Sequence, residues 1–325
     1  MRRLAAATAV AAISVFTRGV VLSMAGQAEY RWQQTLSRVV EIAGCGLFHG
    51  REVCVRLLPA AAGAGVVFRR VDLAGAPEVP ALVDYAVCGG RRTVLRNGAA
   101  AVETTEHLLA ALAGLQIDNC IVELDAGEVP AVDGSCLPFC EAILDAGVQM
   151  QNAPAPASLQ LPLQRVGDPA GGQWIESIPG HGLEISYQLD YGVDSVVPPQ
   201  SLVVEITPEV FLREIAAART FVLETEVEAL QRAGFGRHLT GADLLVFAAD
   251  GSVIDNQLRW PDEPVRHKIL DCLGDMFLCG QRLEGRIVAC RSGHRLNQLL
   301  ANVVRSDAMG VTSAESCAGE LLRAA

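Results

Sequence analysis

The chain lacks an apolar run long enough to cross a membrane, and it has few charged or aromatic residues. Of its 325 residues 19% are charged and 5% aromatic, yet 50% are hydrophobic. That proportion excludes an intrinsically disordered protein. The net charge of −11 is opposite to the basic excess of nucleic-acid-binding proteins, so we expect no nucleic-acid partner. The length suggests about two domains.

The cysteines lack the spacing of a zinc ribbon or a disulfide framework. There are ten, none forms a C-x-x-C pair, and several lie in apolar runs such as 53–55 and 287–290. Buried free thiols in a reducing compartment fit this pattern, so we expect a cytoplasmic protein. Cys136 and Cys140 lie on a predicted apolar helix and are expected in the core rather than at a metal.

Residues 1–32 form a predicted N-terminal extension. Two arginines precede an apolar stretch at 4–16, as in a signal peptide, but this stretch is too short for a membrane span. A mis-assigned start, with Met24 as the true initiator, is the interpretation that we favour over export. The cysteine pattern is the reason, because it indicates a reducing compartment.

The remaining chain divides into two halves. Residues 33–150 and 172–325 are predicted as two domains, joined over 151–171 by a Pro-, Ala- and Gly-rich linker that could include an edge strand. Local patterns predict strands at 52–58, 65–70, 119–124, 183–191, 201–207 and 285–290, and helices at 104–114, 136–146, 208–218, 262–274 and 292–304.

An internal echo links the two halves. His107 and His267 each begin an apolar helical stretch that reaches a glycine seven residues later, and a strand containing Ile-Val follows each stretch. This echo favours two related α+β layers packed face to face.

The 262–274 helix carries the first candidate site. His267, Asp271 and Asp275 follow one another at intervals of four, so they project from one helix face. A histidine and an aspartate one turn apart can supply two ligands to Zn²⁺, although a solvated His–Asp pair has the same spacing. Apolar residues on the other faces favour burial, where a charge needs a partner or a metal.

Two further clusters could complete that site. His107 could be a third zinc ligand, and Glu106 would then be a carboxylate suited to general-base work, although a helix start facing the dipole explains Glu106 equally well. Arg291 lies at a strand-to-helix junction that could hold an anion. His294 follows it and could donate a proton, or it could simply cap the helix.

These clusters lie within stretches that resemble the UDP-3-O-acyl-N-acetylglucosamine deacetylases, the zinc enzymes of lipid A biosynthesis. The stretches come in the family's order, cover about 33–305, and together are highly specific. They are TTEHLLAAL (104–112), IDN (117–119), EVPAVDGS (128–135), ARTF (218–221), VRHKILD (265–271), GD (274–275) and SGHRLN (292–297).

The resemblance implies an α+β fold of two similar domains, each a β-sheet with two helices, packed with the helices between the sheets. It implies Zn²⁺ held by His107, His267 and Asp271. It also implies a small-molecule glycolipid–nucleotide substrate, whose N-acetyl group is hydrolysed to the free 2-amine and acetate. No obligate protein partner is expected, and peripheral membrane contact would suit a lipidic substrate.

The resemblance also assigns roles to single residues. It implies Glu106 as general base, His294 as general acid, and Asp275 as the carboxylate that orients this histidine. Thr220 would stabilise the oxyanion. Three further residues would contact substrate: Lys268, Phe221 and Arg291. An apolar passage for the acyl chain would lie in the stretch after Phe221.

Two loops depart from the family pattern. Phe48 stands where the family usually has a histidine, and residues 236–241 replace a Gly-Gly-Ser turn. The linker also lacks a lysine that some members of the family use for the nucleotide. The altered 44–50 loop and this missing lysine motivate one alternative, a zinc amidohydrolase acting on a different N-acetylated sugar nucleotide. A second alternative is a non-catalytic protein that binds sugar nucleotides or acyl carriers.

Overall fold

The structure, a computed structural model, describes residues 31–87, 89–241 and 243–310. The prediction about the start of the chain therefore lies outside the described residues. In the part that is described, no helix combines the length and the apolar character needed to span a bilayer.

Strands and short helices alternate along the chain in two similar sets. The strands are β1 (Trp32–Leu36), β2 (Val40–Cys45), β3 (Glu52–Pro59), β4 (Val66–Arg70), β5 (Glu78–Pro80), β6 (Ala86–Val87), β7 (Val94–Asn97), β8 (Ala100–Glu103), β9 (Cys120–Leu124), β10 (Val148–Pro154), β11 (Leu159–Gln160), β12 (Gln164–Asp168), β13 (Gln173–Ile178), β14 (Leu183–Leu189), β15 (Gln200–Glu205), β16 (Phe221–Leu223), β17 (Leu245–Phe247) and β18 (Leu283–Cys290). The α-helices are α1 (Glu106–Gly114), α2 (Leu137–Ala146), α3 (Pro208–Glu214), α4 (Glu224–Arg232), α5 (Glu263–Met276) and α6 (His294–Ala308).

Each half builds one main sheet with one buried face. The first sheet has the order β2-β3-β9-β4-β5, and the second has β12-β13-β18-β14-β15 with β11 beside β18. In β3 the side chains of Val53, Val55 and Leu57 are buried, while those of Glu52 and Arg56 on the other face are exposed. Alternation of this kind lets one face of a sheet pack on the core while the other meets water.

The helices fill the space between the two sheets. Helix α2 contacts β2 of the first sheet, whereas α5 contacts β14 and α6 contacts β13 of the second. Helix α1 lies between them, against both α2 and α5. This arrangement confirms the predicted α+β fold of two domains with helices between sheets.

A glycine determines how closely the two halves approach. A Cβ atom on Gly274 of α5 would lie 2.0 Å from the carbonyl oxygen of Glu106, so no larger residue fits without moving one helix. Because α1 begins at Glu106, this contact brings the start of α1 against the C-terminal part of α5.

Some predicted boundaries were wrong. The 208–218 helix ends at Glu214, and the 292–304 helix runs on to Ala308. Residues 151–171 hold the end of β10 together with β11 and β12, so strands occupy much of the predicted linker. Helix α4 and the parallel pair β16–β17 were not predicted, because these elements are short and α4 has no buried residue.

Candidate active site

Two helices bring three potential metal ligands together. His107 lies in the first turn of α1, and His267 and Asp271 lie one turn apart on α5. Their ligand atoms all lie within 4.8 Å of one another. Oδ1 of Asp271 lies 3.3 Å from Nε2 of His267 and 3.6 Å from Nε2 of His107. The three side chains predicted as ligands therefore converge on one point.

The surroundings of these side chains fit a metal ion. Oδ1 of Asp271 is buried and has no hydrogen-bond partner among the described residues, which would be costly unless a cation completed it. Nδ1 of His267 lies 3.2 Å from the carbonyl oxygen of Ala218, and donation there leaves Nε2 free for a metal. A backbone carbonyl that fixes the ligand tautomer in this way is usual at metal sites.

Burial and neighbouring charges place both ligand types in their metal-binding forms. Burial lowers the pKa of His267 to about 3, so the imidazole is neutral. Burial acts against the charge of Asp271, but the positive charges of Lys268 and His294 hold the pKa of Asp271 well below its usual range. Nζ of Lys268 donates to Oδ2 of Asp271 at 2.7 Å. Neutral imidazole and ionised carboxylate are the forms that ligate divalent metals.

A carboxylate and an imidazole face each other beside the ligand cluster. Oε1 of Glu106 lies 3.8 Å from Nε2 of His294, and burial raises the pKa of Glu106. Nδ1 of His294 lies 2.9 Å from Oδ2 of Asp275. Although burial opposes it, the charges of Asp275 and Glu106 raise the pKa of His294 to about 10. The imidazole is therefore protonated at neutral pH and able to donate a proton.

Asp275 lies behind His294 and is fully buried. It is absent from the residues that line the cavity, so any effect on a bound ligand would have to pass through His294. Nδ2 of Asn297 donates to Oδ2 of Asp275 at 2.8 Å, and the Thr93 hydroxyl donates to Oδ1. Neither donor was predicted as a functional residue. Asn297 could have been found from its place one turn after His294, whereas nothing in the sequence around Thr93 indicated its role.

The predicted substrate-side residues share one cavity with this cluster. It measures about 930 Å³, and its lining includes Thr220, Phe221, Lys268 and Arg291 together with His294. The Phe221 ring centroid lies 6.3 Å from that of the His267 ring. Nζ of Lys268 lies 6.0 Å from the Phe221 centroid, so these side chains form a wall beside the candidate ligands.

One part of the cavity lining is rich in apolar residues, although Glu224, Glu226 and Glu228 also line it, and we call this part the apolar arm. Its walls come from α4, from the β16–β17 pair and from the loops that join them, which is the stretch where the sequence predicts an acyl passage. The apolar lining residues of this arm are Val222, Leu223, Val227, Leu230, Phe235, Leu239, Leu244, Val246 and Ile254.

The loop that departs from the family pattern is held by a buried carboxylate. The main-chain N–H groups of Phe48 and His49 donate to Glu128 at 2.7 and 3.0 Å. Phe48 lines the cavity and meets Phe235 edge-on, with 5.5 Å between ring centroids. The His49 ring lies against Glu103, with Nε2 3.3 Å from Oε2, and its centroid lies 6.0 Å from that of Phe235.

Two buried histidines and a carboxylate, with a second carboxylate and an imidazole alongside, are typical of the class of metal-dependent hydrolases. Comparison with known proteins identifies the family. Residues 33–306 match the family of UDP-3-O-acyl N-acetylglycosamine deacetylases. The chain therefore belongs to that family.

Individual relatives are similar over most of their length. The UDP-3-O-acyl-N-acetylglucosamine deacetylase of Myxococcus xanthus is 40% identical over 275 residues, covering 85% of this chain and 87% of the relative. That of Chlamydia abortus is 41% identical over 280 residues, covering 84% of this chain and 97% of the relative. That of Actinobacillus succinogenes is 35% identical over 280 residues, covering 85% of this chain and 90% of the relative.

Proposed function

We propose that this chain is a zinc-dependent deacetylase in lipid A biosynthesis, where the reaction is an early committed step. Its substrate would be UDP-3-O-(3-hydroxyacyl)-N-acetylglucosamine, and its products the free 2-amine and acetate. One observation carries the proposal. The buried group His107, His267 and Asp271 lies directly beside a carboxylate and a protonated imidazole that face each other. A protein that only bound the sugar nucleotide would need neither.

The donor set favours zinc. Two imidazoles and one carboxylate are a common ligand set for catalytic zinc, which keeps a further position open for water. Bound there, zinc would supply Lewis-acid activation of that water and of the acetamide carbonyl. The orphaned Oδ1 of Asp271, which lies between both imidazoles, supports this assignment.

Glu106 and His294 move the protons. Glu106 accepts the proton that water loses as its oxygen bonds to the acetamide carbon. His294 donates its Nε2 proton to the nitrogen as the C–N bond breaks, which leaves the 2-amine and acetic acid, and the acid ionises to acetate. Glu106 then returns its proton to His294, which lies 3.8 Å away.

The remaining predicted residues bind substrate in this proposal. The Thr220 hydroxyl donates a hydrogen bond to the oxyanion that develops on the carbonyl oxygen. Lys268 and Arg291 contact the polar head group, Phe221 packs on the sugar side, and the apolar arm receives the acyl chain. Arginine suits a diphosphate because its planar group donates two parallel hydrogen bonds.

The proposal extends to the domain organisation, the cellular location and the partners of the chain. We propose deacetylase domains at 33–150 and 172–325, joined over 151–171. A cytoplasmic location is supported by the described cysteines, which are all free thiols. Peripheral membrane contact would serve an enzyme whose substrate is lipidic, and no obligate protein partner is proposed.

Metal content and turnover together test the proposal. We expect about one zinc per chain and acetate release from the acylated substrate, with both lost in His267→Ala. His181→Ala is the matched control, because the His181 side chain is fully exposed. A zinc-free protein that stayed inactive after zinc addition would refute the proposal, and equal turnover of UDP-N-acetylglucosamine would favour the alternative substrate.

A further inference from the structure

One buried threonine touches both groups of the acid–base pair. Thr93 immediately precedes β7, in the N-terminal half, and is fully buried. Its main-chain N–H donates to Oε2 of Glu106 at 3.1 Å. Its hydroxyl donates to Oδ1 of Asp275, the carboxylate that holds His294. A single residue thus contacts Glu106 directly and His294 in two ways, through Asp275 and at 3.5 Å from its own Oγ1 to Nδ1 of His294.

The hydrogen-bond pattern determines the direction in which the Thr93 hydroxyl points. Nε2 of Gln298 donates to Oγ1 of Thr93 at 2.9 Å, which leaves the hydroxyl proton for Asp275. Asp275 therefore accepts from Thr93 on one oxygen and from Asn297 and the His294 imidazole on the other. With both oxygens engaged, the carboxylate cannot rotate without losing a buried hydrogen bond, which costs free energy.

The two halves of the molecule meet at this point. Glu106 and Thr93 belong to the N-terminal half, whereas Asp275, His294 and Gln298 belong to the C-terminal half. The relative position of base and acid consequently depends on contacts across the junction. The Thr93 hydroxyl provides such a contact, because it bonds to Asp275 while the main-chain N–H of the same residue bonds to Glu106.

We infer that Thr93 is a positioning residue, which sets the His294 imidazole against the Glu106 carboxylate by clamping Asp275. The inference rests on the proposed function and goes beyond it, because Thr93 is not among the residues that line the cavity. Positioning groups behind catalytic side chains typically contribute 10- to 100-fold to activity. Loss of the hydroxyl should therefore lower kcat and leave KM nearly unchanged, because ground-state binding does not involve it.

Thr93→Val tests the hydroxyl alone, since valine keeps the shape and the main-chain N–H. We expect kcat to fall about 10- to 100-fold with KM within about twofold, and Thr93→Ser to restore most of the rate. Thr105→Val is the matched control. The Thr105 hydroxyl is equally buried but has no hydrogen-bond partner among the described residues. We expect that control to retain wild-type kcat.

A double-mutant cycle separates positioning from general damage. If Thr93 acts through Asp275, adding Thr93→Val to Asp275→Asn should lower kcat by far less than it does in the wild type. Equal losses in both backgrounds would overturn the inference. So would a loss in Thr93→Val that is no larger than the loss in Thr105→Val.

An NMR titration of the zinc-loaded protein tests the inference without activity. The His294 signal is identified by its loss in His294→Gln. We expect its midpoint in Thr93→Val to fall by about one pH unit as the contact with Asp275 loosens. An unchanged midpoint would overturn the inference. If the wild type released no acetate, the proposed function would fail, yet this titration would still decide the role of Thr93.

Discussion

The two ends of the cavity are built in different ways. At the chemical end, His267, Asp271 and Asp275 lie on a long helix whose residues are mostly buried. At the apolar end, α4 has no buried residue and packs beside a pair of three-residue strands. The reaction geometry is thus part of the protein core, whereas the apolar arm is a layer added at the surface. The difference implies that reaction and substrate range can change independently.

The largest effect should follow removal of the base at the chemical end. Glu106→Gln keeps the size of the side chain but cannot accept a proton, so we expect kcat to fall about 10²- to 10⁴-fold. Zinc content should stay near one per chain, because Glu106 is not among the three ligands. Glu209→Gln, on the exposed face of α3 and away from the cavity, is the control. A variant that kept wild-type kcat would remove Glu106 from the mechanism.

Removing the buried ion pair that joins the start of β16, at the apolar end, to α5, at the chemical end, should lower the free energy of unfolding. Arg219, just before the β16 strand, pairs with the buried Glu263 of α5 at 2.8 Å and donates to Asn256 at 2.9 Å. Arg219→Met leaves the Glu263 charge buried and unpaired, so we expect unfolding in urea to show a loss of about 3–5 kcal/mol. Arg213→Met, which breaks exposed ion pairs, should leave the stability nearly unchanged. Equal losses would mean that Arg219 does not anchor this region.

The pH profile should report the chemical end and not the apolar arm. His294 donates only while protonated, and its pKa is raised to about 10, so activity should fall as the pH rises through about 10. On the acidic side, activity should fall as Glu106 becomes protonated. The midpoint of this limb should lie above the usual pKa of a glutamate, because burial raises the pKa of Glu106. Initial rates at saturating substrate between pH 4 and about 11 check both limbs. A basic limb that persisted in His294→Gln would contradict the assignment.

The smallest effects should come from the arm. Each methylene removed from the acyl chain should lower kcat/KM about fourfold, because burial of one CH₂ is worth about 0.8 kcal/mol. Leu230→Trp, which narrows the arm, should penalise long acyl chains and leave short ones unaffected. Arg232→Trp on the same helix is the control, since Arg232 is exposed. A chain-length dependence that Leu230→Trp did not alter would show that the acyl group binds elsewhere.

The sequence was informative where function imposes spacing on a regular element. Intervals of four on one helix predicted that His267, Asp271 and Asp275 share a face, and the echo predicted that His107 begins a comparable helix. The three potential ligands do meet. Contacts between the halves, such as that of Thr93 with Asp275, join residues 182 positions apart and leave no periodic trace. Helix α4 escaped prediction for another reason, because a polar helix without a buried face gives no apolar pattern.

The close approach at Gly274 has a consequence for unfolding. Because one ligand comes from α1 and two from α5, a bound ion would act as a cross-link between the halves, placed next to the contact of Gly274 with Glu106. Ligand binding to the folded state alone adds its free energy to that of unfolding. The loaded protein should then melt in one cooperative transition, in which neither half survives without the other.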